Sequence, residues 1–333
     1  MKKFFALIIF FLFTSLNAMN GQSTNLNNIN LWWEGHGNTN NPPVLLIMGL
    51  NANLKRWPDE LISGLVNEGF YVITFDNRDS GKSSWVTKEP SIIKFIKILP
   101  SFIQNAIVEG LFSQMFDEEG RFLMGGAPSE YNLSDMAQDG IALLDHLGIN
   151  KAHIVGASMG GMIAQVIALD HPERVHTFTG IMTTPGFDTK GLSGPTLEYV
   201  EAMKKSFKLS LQNEHKESMY VGNSALLGTR YPDDGQSEKL ILLTMEHGNN
   251  NNSGHMAAVG ASPNRMHRLK TIAVPSLIIH GSEDPLIPQD HGIAIANEIQ
   301  NSKLYIMEGV GHNFPIQLIP EIINKLVIHF NEQ

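Results

Sequence analysis

After a polar, asparagine-rich lead (QSTNLNNIN), short apolar runs alternate with longer stretches in which apolar residues recur every three or four positions. The short runs are PVLLIM (43–48), YVITFD (71–76), AHIVGA (152–157), HTFTGIM (176–182), SLIIHG (276–281) and KLYIME (303–308). Each is nearly continuous in apolar residues, which predicts strands buried on both faces. INLWWEG, near the start, predicts an edge strand. The longer stretches read as helices. PDELISGLVNEG spaces Leu61, Ile62, Leu65 and Val66 helically and closes on Gly69. LSDMAQDGIALLDHLG, with Ser134 as its expected N-cap, puts Met136, Ile141, Leu144 and Leu147 on one side. MGGMIAQVIALDHP follows Ser158 directly and stops at Pro172. Strand and helix in alternation predict an α/β fold built on a mostly parallel, twisted sheet flanked by helices.

Two segments break the alternation. Residues 86–130 contain SIIKFIKILPSFIQNAIVEGLF, and residues 187–268 carry helical patterns and the GNNNNSG loop. The first is too charged and too interrupted by Pro100 to span a bilayer, so it is expected to form one or two helices over the core, with contact with lipid or an oily substrate as the less favoured alternative. The second is expected to be an inserted helical cap on a domain covering 30–330.

Chemistry concentrates at three strand ends. Gly156-Ala157-Ser158-Met159-Gly160 joins a buried strand to a helix, and small flanking residues permit the sharp turn that lifts a serine hydroxyl clear of a sheet. That turn aims the helix's first amides, Met159 N–H among them, at the place where an oxyanion would develop. A serine needs a base and an orienting acid. Asp284 follows SLIIHG in a Gly/Pro-rich loop, and His312 follows the next strand behind Gly309 and Gly311. The order Ser158, Asp284, His312 suits this architecture, and all three fall at the carboxyl edge of the sheet. Asp188 competes for the acid role, with Glu283 and Asp290 as further nearby carboxylates. Of the 13 histidines, His280 reads as a strand-end residue and His255 and His291 as surface or cap residues. In the loop after PVLLIM, Gly49 allows close backbone approach, leaving Leu50 N–H or Asn51 N–H as the second oxyanion donor. FDNRDSGKSS lacks the spacing of a phosphate loop, and its Asp76 and Arg78 are expected to brace the floor of the site as an ion pair.

Composition narrows the classes. A net charge of −9 with no basic cluster beyond the N-terminus argues against nucleic acid as a partner. The absence of cysteine removes disulfides, thiolate catalysis and cysteine metal sites, and no His-Glu-x-x-His or clustered carboxylate pattern offers another metal site. MKKFFALIIFFLFTSLNAMNG has a basic start, a short apolar run and small residues ending at Ala18, which predicts a signal peptide over 1–18 and export to a periplasm or beyond the cell.

The segments PVLLIMGLNANLKRWPDELISGLVNEGFYVITFDNRDSGKSS, YNLSDMAQDGIALLDHLGINKAHIVGASMGGMIAQVIALDHPERV and VPSLIIHGSEDPLIP with GVGHNFP resemble the α/β-hydrolase superfamily. The Met-Gly entry loop and DNRDSGKSS are most similar to the aclacinomycin methylesterase-like hydrolases. The resemblance covers nearly all of 30–330. It implies a cofactor-independent serine hydrolase: Ser158 the nucleophile, His312 the general base and then acid, Asp284 orienting the imidazole, and the amides of Leu50 and Met159 forming the oxyanion hole. The expected substrate is a small, hydrophobic carboxylic ester. An amide, a lactone, a carbon–carbon bond or a peracid on the same triad, or ligand binding without catalysis, are the alternatives.

Overall fold

The computed structural model describes residues 21–332 apart from 27, 89, 118–120, 124–127 and 249–251. The expected signal peptide lies outside the described residues. Eight strands form one sheet: β1 (Gln22–Leu26), β2 (Ile29–His36), β3 (Pro43–Ile47), β4 (Tyr71–Phe75), β5 (Ala152–Ala157), β6 (Val175–Ile181), β7 (Ser276–Gly281) and β8 (Lys303–Met307). Their order is β1-β2-β4-β3-β5-β6-β7-β8. β1 and β2 run antiparallel to their neighbours, and every pairing from β4 to β8 is parallel.

INLWWEG is a strand, but it is not the edge. β1, drawn from the polar lead, pairs outside it with Gln22 opposite Trp33 and Leu26 opposite Ile29. QSTNL has no apolar alternation to reveal it. β1 is held by its ladder to β2 and by the Trp33 indole, which donates to Thr24 Oγ1 at 3.1 Å.

The helices are α1 (Asp59–Asn67), α2 (Ser91–Lys97), α3 (Ser101–Ser113), α4 (Leu133–His146), α5 (Met159–Asp170), α6 (Leu197–Leu211), α7 (His215–Ser224), α8 (Gln236–His247), α9 (Asn252–Ala261), α10 (Gln289–Glu298) and α11 (Ile319–Phe330). Alternate side chains of the buried strands feed two cores. Leu45, Ile47 and Ile154 pack with α4, α5 and α10 on one face. Val44, Leu46, Val155 and Ala157 pack with α1 and α11 on the other. Helix α4 begins one residue before the expected Ser134. Asn132 caps it, accepting from the amides of Ser134 and Asp135 at 2.7 and 3.2 Å, while Asp135 accepts in return from Asn132 N–H at 2.8 Å. The reciprocal pair satisfies orphan amides that Ser134 is too far into the helix to reach.

The apolar stretch at 91–112 does form two helices. They pack not on the sheet but on α6: Ile96, Val108 and Phe112 meet Val200 and Leu211 in a cluster of their own. Helices α6 to α9 are inserted between β6 and β7. Among the described residues no helix is long and apolar enough to cross a membrane.

Candidate active site

Ser158 occupies the single residue between β5 and α5, at φ 57° and ψ −121°. A non-glycine residue there is strained by roughly 1–3 kcal/mol, and the surroundings hold it in place. Ser158 N–H donates to Ile181 O at 2.8 Å, and its carbonyl accepts from Thr183 Oγ1 at 2.8 Å and from Gly161 N–H at 2.9 Å. The flanking glycines are required by contact. A Cβ on Gly156 would lie 2.1 Å from Gly160 O, and one on Gly160 would lie 2.0 Å from Ile47 O. Gly49 faces the serine across the cleft, where a Cβ would come within 2.9 Å of Ser158 Cβ.

Asp284 and His312 meet at the ends of the adjacent strands β7 and β8. His312 Nδ1 lies 2.6 Å from Asp284 Oδ2, and His312 N–H donates to Leu226 O at 2.7 Å. Asp284 is buried, and its Oδ1 accepts from the amides of Leu286 and Ile287 at 3.0 and 2.8 Å. Burial pushes its pKa up, but His312 first and then His280, whose Nε2 is 3.5 Å from Oδ2, outweigh that and hold it down at about 2. An ionised carboxylate only accepts, so a neutral His312 carries its proton on Nδ1 and keeps a lone pair on Nε2. Among the described residues neither Ser158 Oγ nor His312 Nε2 has a hydrogen-bond partner.

The competing carboxylates are engaged elsewhere. Asp188 is exposed and accepts from Asn264 Nδ2 at 2.8 Å. Glu283 accepts from Thr229 N–H and Oγ1 at 2.7 and 2.9 Å, and Asp290 from Ser193 N–H at 2.8 Å. Asp76 and Arg78 do not pair. Buried Asp76 accepts from Leu54 N–H and Lys82 N–H, both at 2.9 Å, and lies 2.7 Å from His247 Nε2. Arg78 makes a two-pronged contact with Asp139 instead, both bonds 2.7 Å.

His255 lies in the insertion between β6 and β7, as one of the two expectations for it had it, but like His291, which lies on α10, it is buried. His291 is buried between Thr184 Oγ1 and Ser193 O, at 2.8 and 2.9 Å. His255, fully buried on α9, has Nε2 2.7 Å from Arg78 O and Nδ1 3.3 Å from Asn51 N. A carbonyl can only accept and an amide can only donate, so Nε2 bears the proton and Nδ1 accepts. Burial pushes the pKa of His255 down and keeps it in that neutral form. The Asn51 amide is therefore occupied, whereas among the described residues the amides of Leu50 and Met159 have no acceptor. Nothing in the sequence signalled His255, which reaches the loop from 204 positions away.

Surface depressions of about 370 and 350 Å³ lie elsewhere, around Lys151 and His176 and around Lys190 and His267. Ser158 itself is half-buried. Among the described residues no group of three or more His, Cys, Asp or Glu is placed to hold a metal ion.

The chain is similar to several known proteins. The chain is 27 % identical over 320 residues to the rhodomycin D methylesterase DnrP of Streptomyces peucetius, covering 90 % of this chain and 95 % of that one. It is 29 % identical over 213 residues to a 2-hydroxy-6-oxononadienedioate/2-hydroxy-6-oxononatrienedioate hydrolase of Burkholderia vietnamiensis, covering 62 % of this chain and 69 % of that one. Among solved structures, the esterase EaEST of Exiguobacterium antarcticum superposes with a TM-score of 0.68 at 18 % identity, over 94 % of this chain and all of that one. Residues 42–317 match the family described as alpha/beta hydrolase fold, and the chain belongs to that family.

Proposed function

We propose that the protein is an exported serine hydrolase that cleaves a small, hydrophobic carboxylic ester. The observation that carries the reading is the 2.6 Å contact of buried Asp284 with His312 Nδ1, on the same sheet edge as a serine held at φ 57°. Ser158 Oγ attacks the ester carbonyl while His312 Nε2 takes its proton, and Asp284 stabilises the imidazolium that forms. The amides of Leu50 and Met159 receive the oxyanion; the bond from Asn51 N–H to His255 favours Leu50 over Asn51 for the second donor. His312 returns the proton to the departing alcohol. Water, deprotonated by the same Nε2, then releases the acid from the acyl-enzyme. The choice of an ester rests on the relative named as a methylesterase, which spans 90 % of the chain. The hydrophobic substrate rests on the apolar sequence of the insertion at 91–112. Export rests on the basic, apolar and small-residue sequence of 1–18.

Replacement of Ser158→Ala is expected to abolish turnover of a short activated ester with an unchanged thermal transition, and an organophosphate is expected to label the parent enzyme only. Retained turnover in the variant would overturn the assignment. Cell fractionation with N-terminal sequencing tests export: a mature chain beginning near residue 19 outside the cytoplasm is expected, and an intact Met1 start refutes it.

A further inference from the structure

The apolar run of β7 closes on a histidine, His280, that the triad chemistry does not use directly. Side-chain alternation puts its ring on the same face as Ile278, toward α10, and the ring is fully buried. Gly292 of α10 leaves the room it needs: a Cβ there would come within 2.4 Å of His280 Nδ1.

The surroundings fix the tautomer. His280 Nε2 lies 2.8 Å from Ile287 O, which can only accept, so Nε2 carries the proton. Among the described residues Nδ1 has no partner, and as a lone pair it avoids an enclosed, unpaired N–H. The same Nε2 is 3.5 Å from Asp284 Oδ2, the oxygen that takes His312 Nδ1 at 2.6 Å. Ile287 completes the arrangement, because its N–H donates to Asp284 Oδ1 at 2.8 Å while its carbonyl accepts from His280. Asp284, Ile287 and His280 thus form a ring with the catalytic carboxylate at one corner.

The positive end of an N–H dipole this close to an enclosed anion is weakly screened. Burial pushes the pKa of Asp284 up, and His312 and then His280 bring it down to about 2. The other titratable groups around the pair do not take this role. Tyr199 of α6 is kept neutral by burial and then by Asp284, which push its pKa up, and His291 of α10 is kept neutral by burial, which pushes its pKa down. Glu283 and Asp290 accept from Thr229 and Ser193.

We propose that His280 is a positioning residue of the catalytic acid: its Nε2 proton holds the Ile287 turn and shares the charge on Asp284 Oδ2, so that His312 keeps its base form to lower pH. An Oδ2 relieved of that proton binds the His312 Nδ1 proton more strongly and favours the imidazolium. This role rests on the reading of Ser158, His312 and Asp284 as a hydrolytic triad.

Full-length His280→Met and His280→Gln, compared with the parent, test it. Methionine fills the space without a donor, whereas glutamine Nε2 can stand where the imidazole Nε2 stood and donate. The first readout is the pH profile of kcat/KM on p-nitrophenyl acetate. In His280→Met its acid limb should move up by roughly half to one pH unit, with kcat on the plateau within about threefold of the parent. In His280→Gln the limb should stay at the parent position. The second readout needs no substrate: the His312 Nδ1 proton, assigned in the NMR spectrum by its loss in His312→Gln, should move downfield in His280→Met and not in His280→Gln. A purely structural role moves both signals the other way, because an Asp284 that drifts from His312 lowers the limb and sends the proton upfield. A limb unchanged or lowered in His280→Met would overturn the proposal. Because glutamine keeps the donor, a limb raised in His280→Gln overturns it without the methionine variant. If the parent itself does not turn over the ester, the ester-hydrolase reading fails, and the NMR shift still decides whether His280 acts on Asp284.

Discussion

Replacing Asp284 by asparagine is expected to reverse the proton on His312, and the local hydrogen bonds fix how. Asp284 Oδ1 already accepts from two amides, those of Leu286 and Ile287. The asparagine carbonyl must take that place, because its NH2 group there would face two donors. The NH2 is then left where Oδ2 stood, 2.6 Å from His312 Nδ1. Nδ1 becomes an acceptor, the proton moves to Nε2, and the nitrogen meant to deprotonate Ser158 has no lone pair. Two magnitudes separate this from a simple loss of charge. Loss of a charged hydrogen bond with the tautomer unchanged costs about 1.5–3 kcal/mol, roughly 10- to 150-fold in rate. A wrong tautomer costs about 10⁴-fold in kcat, ~5 kcal/mol. Steady-state kinetics on a short ester should therefore show a kcat loss near the larger value with KM little changed, while Asp188→Asn behaves as the parent enzyme. A loss for Asp284→Asn of no more than about 10- to 150-fold, the value of the charged hydrogen bond alone, would refute the tautomer reasoning; a loss centred on Asp188→Asn would refute the site.

Two further expectations concern the histidines that the fold buries. His255→Ala frees the Asn51 amide and loosens the loop that carries Leu50, so kcat is expected to fall about 10- to 100-fold with KM within about twofold. His255→Asn, whose Oδ1 can replace Nδ1 as acceptor, should recover most of the loss, and equal losses in both variants would show that only packing was removed. His36, His153, His255, His291 and His329 all have pKa values lowered first of all by burial, His153 to about 3. Such groups add stability that is fully present above the unfolded value of 6.5 and is lost as pH falls toward the folded value. His153 alone removes ~1.4 kcal/mol per pH unit over most of that interval. Urea midpoints should fall steadily from pH 7 to pH 5, and a flat profile would refute the burial of these rings as neutral groups.

The parts of the fold that hydrophobic order determines were readable in the sequence. PVLLIM, AHIVGA and SLIIHG are strands within a residue of their expected bounds, because a strand apolar on both faces has few other stable places. The loop positions of Ser158, Asp284 and His312 followed from those strands and their glycines. What escaped was set by pairing between distant segments. β1 has no periodicity of its own and exists through its ladder to β2. The Asp76–Arg78 pair looked natural because the residues are two apart, yet they face different partners, His247 and Asp139, brought in from α8 and α4. His255 does lie in the insertion between β6 and β7, but the burial of both His255 and His291 was not legible, because a polar side chain in a polar segment reads as exposed. Their burial depends on backbone acceptors and donors that only the folded chain brings near.

The segment between β6 and β7 sends bonds into the loops that carry the chemistry. Leu226 O holds His312 N–H, Thr229 holds Glu283 beside Asp284, His247 holds Asp76, and His255 holds the Asn51 amide. A lid that swings as a unit would have to break all four together. A change of substrate preference in this lineage is thus mutationally coupled to turnover. Grafting a relative's insertion onto this sheet would replace the partners that hold His312, Glu283, Asp76 and the Asn51 amide. Chimaeras should lose kcat before they gain a new substrate, and recovery should come from second substitutions in the loops at 49–56 and 281–284.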